Sequence, residues 1–189
     1  PYFKSPLNWV GNKYKFLSVI DSIVDGKQYD KVIEGFMGAG NILFNINVQA
    51  DVFIGNDKNK LTPMFYKAVK EADTTYTIKR FDEILDRHNR FKDKNDYYTF
   101  RDYWNIKFIA NNFDEDFIYE TIMLLKMCSN SMVRFNPNNG KFNQGFRGLS
   151  KAKLESKTGF FSDTMKKQCM KRLNELSIRI QKKNYTFYN

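Results

Sequence analysis

Histidine, cysteine and proline are all scarce in this sequence. The single histidine, His88, cannot by itself complete a catalytic triad or a metal site, and it is expected at a surface or a helix end. The two cysteines, Cys128 and Cys169, lie in helical patterns without metal-type spacing, which favours reduced, buried thiols over a disulfide framework. The four prolines, Pro1, Pro6, Pro63 and Pro137, are never adjacent, so any motif built on a Pro-Pro pair is excluded. No apolar run approaches the roughly 20 residues of a membrane span. What is present is 189 residues with 42% hydrophobic and 16% aromatic content, enough for one domain with a small insertion. That content excludes a disordered chain.

Charge is unevenly placed. Residues 126–189 hold 14 Lys and Arg against three acids, Glu155, Asp163 and Glu175, whereas the first 125 residues hold 17 basic and 18 acidic groups. A near-neutral first part joined to a basic last third suggests a polyanion-binding face on a neutral scaffold. The plain alternative is a solvated basic surface.

The chain is organised around Lys31-Val32-Ile33-Glu34-Gly35-Phe36-Met37-Gly38-Ala39-Gly40-Asn41. A short apolar run ends in an acid, a loop with three glycines follows, and Ile42, Leu43 and Ile46 begin a helical pattern. The spacing predicts strand, tight turn and a short helix over 41–47. Glycine lets backbone approach a ligand closely, and a helix start adds free N–H groups there. Asp51-Val52-Phe53-Ile54-Gly55-Asn56-Asp57 reads as a second strand ending in an acid, and this unit favours a parallel sheet. Asp57 lies 17 residues past Gly40, where a carboxylate can accept hydrogen bonds from ribose hydroxyls. The spacing is short for a dinucleotide fold and the glycine pattern is not Gly-x-Gly-x-x-Gly, which argues against NAD. Asp57 can equally cap the segment that follows.

Ahead of this stretch, Trp9 and Lys13 sit around the Gly11-Asn12 turn, before a helical pattern of Phe16, Leu17, Ile20, Ile23 and Val24. An aromatic and a cation there can face an adenosine or a carboxylate, or Trp9 can be core. Behind the second strand, helices are predicted around 61–69, 78–87, 95–110 and 117–128, the third rich in aromatics that read as packing. The last of these follows Asp114-Glu115-Asp116, acids that suit a helix start. This run of helices reads as an inserted subdomain. Asn138-Asn139-Gly140, between Arg134-Phe135 and Lys141-Phe142, is a hairpin signal. Residues 126–157 hold seven basic groups and one acid. Arg and Asn interleaved with Phe are the chemistry of base reading, since Arg matches guanine, Asn matches adenine and apolar groups wedge between bases. Ser162 is expected to cap a long basic helix over roughly 163–183, and Tyr185-Thr186-Phe187-Tyr188 starts a strand.

These blocks together resemble the Dam-type DNA adenine-N6 methyltransferases of bacteria and phages. Residues 6–17 are similar to that family's N-terminal Trp-x-Gly-x-Lys loop. Glu34-Gly35-Phe36-Met37-Gly38-Ala39-Gly40 resembles its Glu-Pro-Phe-x-Gly-x-Gly cofactor loop, and Asn56-Asp57 the acid that ends its second strand. Asn130 to Asn136 and Gly140-Lys141-Phe142-Asn143 resemble its target-recognition hairpin. The resemblance implies an α/β, Rossmann-like sheet with an inserted helical, hairpin-containing DNA-recognition subdomain. The implied boundaries are 1–75 and 161–189 for the cofactor-binding part and 76–160 for the subdomain, with its hairpin at 133–146. It implies S-adenosylmethionine held by Trp9, Lys13, Glu34, Phe36, Gly38, Gly40 and Asp57. It implies double-stranded DNA, with a GATC-like target, contacted by Asn130, Met132, Arg134, Asn136, Lys141, Asn143 and Arg147. The implied setting is the cytoplasm of a bacterium or of a phage-infected cell, in restriction-modification or its evasion.

Three departures qualify this. Gly35 stands where the family has Pro, and Gly145-Phe146-Arg147 where it has Pro-Phe-Gly. The family's catalytic Asp-Pro-Pro-Tyr motif is absent, so the catalytic residues are unassigned. The expectation is a piece of a longer polypeptide or half of a split enzyme, with a C-terminal fragment or partner subunit completing the sheet. The alternatives are a methyltransferase-derived DNA-binding regulator that has lost catalysis and an RNA methyltransferase-like protein.

Overall fold

The computed structural model of this protein describes residues 2–11, 13–148 and 160–189. Asn12 of the predicted turn, and Lys151, Lys153, Glu155 and Lys157 of the basic segment, lie outside the described residues. Two compact units divide the chain: Pro1–Thr75 with Arg172–Asn189, and Tyr76–Lys171.

The first unit is built on a parallel sheet of β1 (Gln28–Glu34), β2 (Gln49–Asn56) and β3 (Tyr185–Tyr188), with β2 in the middle. In register, Val32 faces Phe53, Phe53 faces Tyr185, and Gly55 faces Phe187. Alternation along each strand sends Phe53, Gly55, Tyr185 and Phe187 to one face, where all are buried. Phe44 and Tyr66 pack there at ring-centroid distances of 5.4 Å to Tyr185 and 5.7 Å to Phe187 respectively. Tyr66 belongs to α2 (Leu61–Ala72), which buries Phe65, Ala68 and Val69 as well. The opposite face carries the row Ile33, Ile54 and Thr186, and Ile33 is 65% exposed. A small parallel sheet with helices is consistent with a Rossmann-like sheet that holds fewer strands than the complete form.

Two local expectations change. The predicted helix at 41–47 is instead a turn over residues 41–45. Phe44 N–H reaches Gly40 and Ile46 N–H reaches Ile42, each at 3.0 Å, but the pattern does not propagate. The side chain of Asn45 accepts from Phe3 N–H and donates to the carbonyls of Phe3 and Asn41, which gives the backbone a competing set of bonds. The apolar spacing at 16–24 does form a helix, α1 (Leu17–Val24), but its stripe is not core. Only Leu17 is buried, while Phe16 and Ile23 are 56% and 61% exposed.

The second unit is helical. It contains α3 (Ile78–Arg87), α4 (Lys94–Ile109) and α5 (Glu115–Met127). The helix α6 (Asp163–Lys182) contributes residues 163–171 to this unit and the remainder to the first. Starts are capped from the sequence. The Thr77 hydroxyl accepts Arg80 N–H, Asp93 and Asp96 form a reciprocal capping box, Asp114 accepts Phe117 N–H, and Ser162 accepts Met165 N–H at 3.3 Å. Trp104 sits fully buried at the centre, stacked on Phe108 and Phe117 at 4.9 Å and 5.4 Å. Its indole N–H donates to Thr121 Oγ1 at 3.0 Å. The aromatics of α4 are therefore packing residues, as their spacing suggests. His88 closes α3, as expected of a helix-end residue, but it is packed against Phe91, Phe100 and Tyr103 rather than lying on the surface. Both cysteines are buried and unbridged.

Candidate functional site

β1 and β2 end side by side, and their C-terminal ends form the edge at which parallel sheets ordinarily take ligands. Glu34 is the last residue of β1, and Asp57 follows the last residue of β2. The glycine turn runs between them. Met37 N–H donates to the Asn56 carbonyl at 2.9 Å, fastening the turn to β2, and Gly40 N–H closes on Met37 O at 2.6 Å. Gly38 and Gly40 both have positive φ, +48° and +64°. A Cβ on Gly38 would stand 2.9 Å from Trp9 Cδ1, and one on Gly40 would stand 2.5 Å from Phe44 Cε2. Both glycines are therefore required by conformation and by space. Gly35, which departs from the Pro of the resemblance, has nothing within 4 Å of its Cβ position, so space does not require glycine there.

The two acids have different surroundings. Asp57 accepts Gly38 N–H through Oδ2 and Asn59 N–H through Oδ1, each at 2.8 Å. It therefore holds the turn and also bonds the backbone ahead of α2. Glu34 accepts Leu43 N–H through Oε2 at 2.9 Å. Burial pushes the Glu34 carboxyl up to about 7; the Leu43 N–H opposes that shift, and the Asp57 charge adds to it.

Trp9 is brought over the turn by the segment before it. Ser5 N–H donates to Asn41 Oδ1 at 3.3 Å, and Leu7 N–H to Ser5 Oγ at 3.1 Å. The Tyr66 hydroxyl donates to Ala39 O at 2.7 Å, so the Ser5 hydroxyl is the donor in its 2.7 Å pair with Tyr66. These polar groups are buried and bonded, which fixes the N-terminal segment to the turn. The outcome is a cavity of about 220 Å³ whose lining includes Trp9, Lys13, Glu34, Phe36, Gly38 and Asp57. Six of the seven residues expected at a cofactor site thus share one cavity, and Gly40 lies in the same turn. Ser5, Asn41, Asn45 and Tyr66 support it and were not singled out by sequence reading. Nothing in their spacing marks them, because their partners are 27 to 61 residues away or across the turn.

In the helical unit, the segment 129–147 holds the expected DNA contacts. Phe135 and Phe142 form an antiparallel bridge, with Asn136 N–H to Lys141 O at 2.8 Å and Asn143 N–H to Arg134 O at 3.1 Å. Gly140 turns the chain at φ +66°. The hairpin is clamped by Asn105 of α4, which bonds both Phe142 N–H and Phe142 O at 2.7 Å and 3.0 Å. Asn105 is 2% exposed. The available signal for it was a polar residue on the apolar side of an otherwise aromatic helix. Arg134, Lys141, Asn143, Arg147 and Asn130 are exposed, and Met132 and Asn136 are half-buried. Asn130 and Ser131 both adopt left-handed backbone, φ +57° and +52°, which for serine is a strained conformation. Among the described residues no cluster of three metal-type ligands occurs, and no helix is long and apolar enough to cross a membrane.

Comparison with known proteins identifies the lineage. The profile of the D12 class N6 adenine-specific DNA methyltransferases matches residues 9–189. The chain is 30% identical over 146 residues to the modification methylase StsI of Streptococcus sanguinis, which covers 77% of this chain and 20% of that protein. It is 30% identical over 105 residues to the type II methyltransferase M.FokI of Planomicrobium okeanokoites, covering 55% of this chain and 16% of that protein. The aligned region thus spans a fifth or less of each of these relatives. The chain belongs to the D12 class N6 adenine-specific DNA methyltransferase family.

Proposed function

We propose that this chain is the cofactor-binding and target-recognition portion of a DNA adenine-N6 methyltransferase that uses S-adenosylmethionine and acts on a flipped adenine in a GATC-like duplex site. The observation that carries this reading is the shared cavity at the ends of β1 and β2, where Trp9, Lys13, Glu34, Phe36, Gly38 and Asp57 converge. The residues suit the cofactor. Gly38 lets Trp9 pack directly on the turn, the indole offers a flat apolar wall, and two carboxylates face a ligand that carries an ammonium and a sulfonium against one carboxylate.

When bound, the cofactor supplies the methyl group. In this reading Asp57 takes the ribose hydroxyls with the lone pairs left by its two backbone bonds, and Glu34 faces the methionine end. Trp9 and Lys13 close the site from the N-terminal loop. The exposed Arg134 reads a guanine beside the target, and Asn130 and Met132 attend the extruded base, which enzymes acting on bases must take out of the stack. The groups that hold the adenine amine are assigned to residues outside this chain, either a C-terminal fragment or a partner subunit. The exposure of Ile33 on the open face of the sheet supports a further element covering that face, since parallel sheets are ordinarily covered on both faces.

The test is transfer of label from S-adenosylmethionine to adenine in GATC-containing duplex, together with binding of cofactor and of DNA. Cofactor binding with transfer, or with transfer restored by the supplied C-terminal part, supports the reading. Salt-sensitive DNA binding without cofactor binding would replace it by a DNA-binding regulator. Arg134→Ala is expected to relax preference at one base pair by roughly 1–3 kcal/mol. A uniform loss across sequences would make Arg134 a phosphate contact.

A further inference from the structure

The charge inside the cavity is unbalanced. Glu34 from β1 and Asp57 from the end of β2 line it, with Lys13 from the N-terminal loop the one cation among its described lining residues. Tyr66 of α2 adds no charge there, since burial, helped by the charge of Glu34, keeps its hydroxyl protonated far above neutral pH. Among the described residues, Asp57 has two N–H donors on its two oxygens, whereas Glu34 has one, from Leu43. Burial is the main cause that pushes the Glu34 carboxyl up to about 7, and the charge of Asp57 on the same cavity adds to it.

Resting on the functional reading above, we propose that Glu34 gives up its proton to solvent when a cationic ligand binds, so that the ligand's charge replaces the proton. The carboxyl is protonated when no positive ligand charge faces it, ionises as a cationic ligand enters, and thereby favours the sulfonium cofactor over the neutral-sulfur product. The displaced proton passes to solvent and no covalent bond to the ligand is made. S-adenosylmethionine brings an ammonium and a sulfonium, while after transfer the sulfur is neutral and one positive charge is gone. A charged Glu34 separates these two ligands electrostatically, and a protonated one does so far less. Discrimination between cofactor and product is therefore expected to rise with pH through about 7.

Calorimetric titration of the full chain with S-adenosylmethionine and with S-adenosylhomocysteine, in two buffers of different protonation enthalpy, reads this directly. At pH 7 the cofactor should release roughly half a proton, and the product less. Cofactor affinity should rise about tenfold between pH 6 and pH 8 and then level off. Glu34→Gln should abolish both the proton release and the pH step. Asp57→Asn, which removes the neighbouring charge, should move the step to lower pH. It serves as the independent test if circular dichroism shows the Gln variant unfolded. Binding with pH-independent affinity, or proton release that persists in Glu34→Gln, overturns the inference and leaves the cofactor reading standing. No cofactor binding at any pH overturns both.

Discussion

The two units of this chain satisfy themselves to different degrees. In the helical unit, large aromatics close around Trp104, and the charged groups inside are paired. Lys107 donates to Glu120 at 2.7 Å and to Asp114 at 2.8 Å, and the Tyr103 hydroxyl adds a bond to Glu120 at 3.2 Å. Glu120 is fully buried. Among the described residues of the sheet unit, by contrast, nine large apolar side chains remain exposed, including Phe16, Val19, Ile23, Ile33 and Phe36, against three among those of the helical unit. The helices meet their own requirements for burial, whereas a three-stranded parallel sheet leaves one face and its edges uncovered. The difference teaches where to look for missing partners: at β1 and α1, and not at the helical core.

Breaking the helical unit should have the largest effect. Glu120→Ala strips the buried Lys107 of a partner and is expected to cost about 3–5 kcal/mol in urea unfolding. A cost below about 1 kcal/mol would mean that Asp114 alone suffices for Lys107. In the sheet unit, Gly40→Ala forces a Cβ into Phe44 at a left-handed position and is expected to cost about 2 kcal/mol, with loss of cofactor affinity. Unchanged affinity would separate the turn from the site.

Glu34 tests whether the cavity is strained for function. Its folded carboxyl, at about 7, lies above its ordinary value of 4.5, so its contribution to stability is fully present at low pH and is lost as pH rises through 7. Glu34→Gln should therefore be more stable than the native chain at pH 8, by on the order of 1–3 kcal/mol, and equal to it at pH 4. A lower melting temperature for the variant at pH 8 would refute that sign. The smallest effect is expected at the open face. Ile33→Lys should shift stability by about 0.5 kcal/mol or less, because the side chain is mostly in water, while reducing self-association in sedimentation. A large destabilisation would show that Ile33 is already covered in solution.

Much of the architecture could be read along the chain. The helices at 78–87, 95–110 and 163–183 were visible in the sequence, the last also from its cap at Ser162, since these signals are local, whereas the caps at Thr77 and Asp93 were seen only in the structure. The turn at 41–45 was not, because Ile42, Leu43 and Ile46 have helical spacing while Asn45 is held by Phe3, 42 residues earlier. The stripe on α1 misled for a similar reason. Its period is real, but period does not say whether anything lies opposite it.

The sequence alone determined the kinds of group at the candidate site: glycines where the turn needs left-handed backbone, acids at two strand ends, and Arg and Asn around a hairpin. Those are properties of single residues and short spacings. Only the tertiary structure decided that Trp9 rests on Gly38, that Asp57 holds the glycine turn, that Asn105 grips the hairpin, and that Glu34 shares its cavity with a second carboxylate. Each of these depends on the distance and burial of groups far apart in the chain, and a linear pattern carries neither.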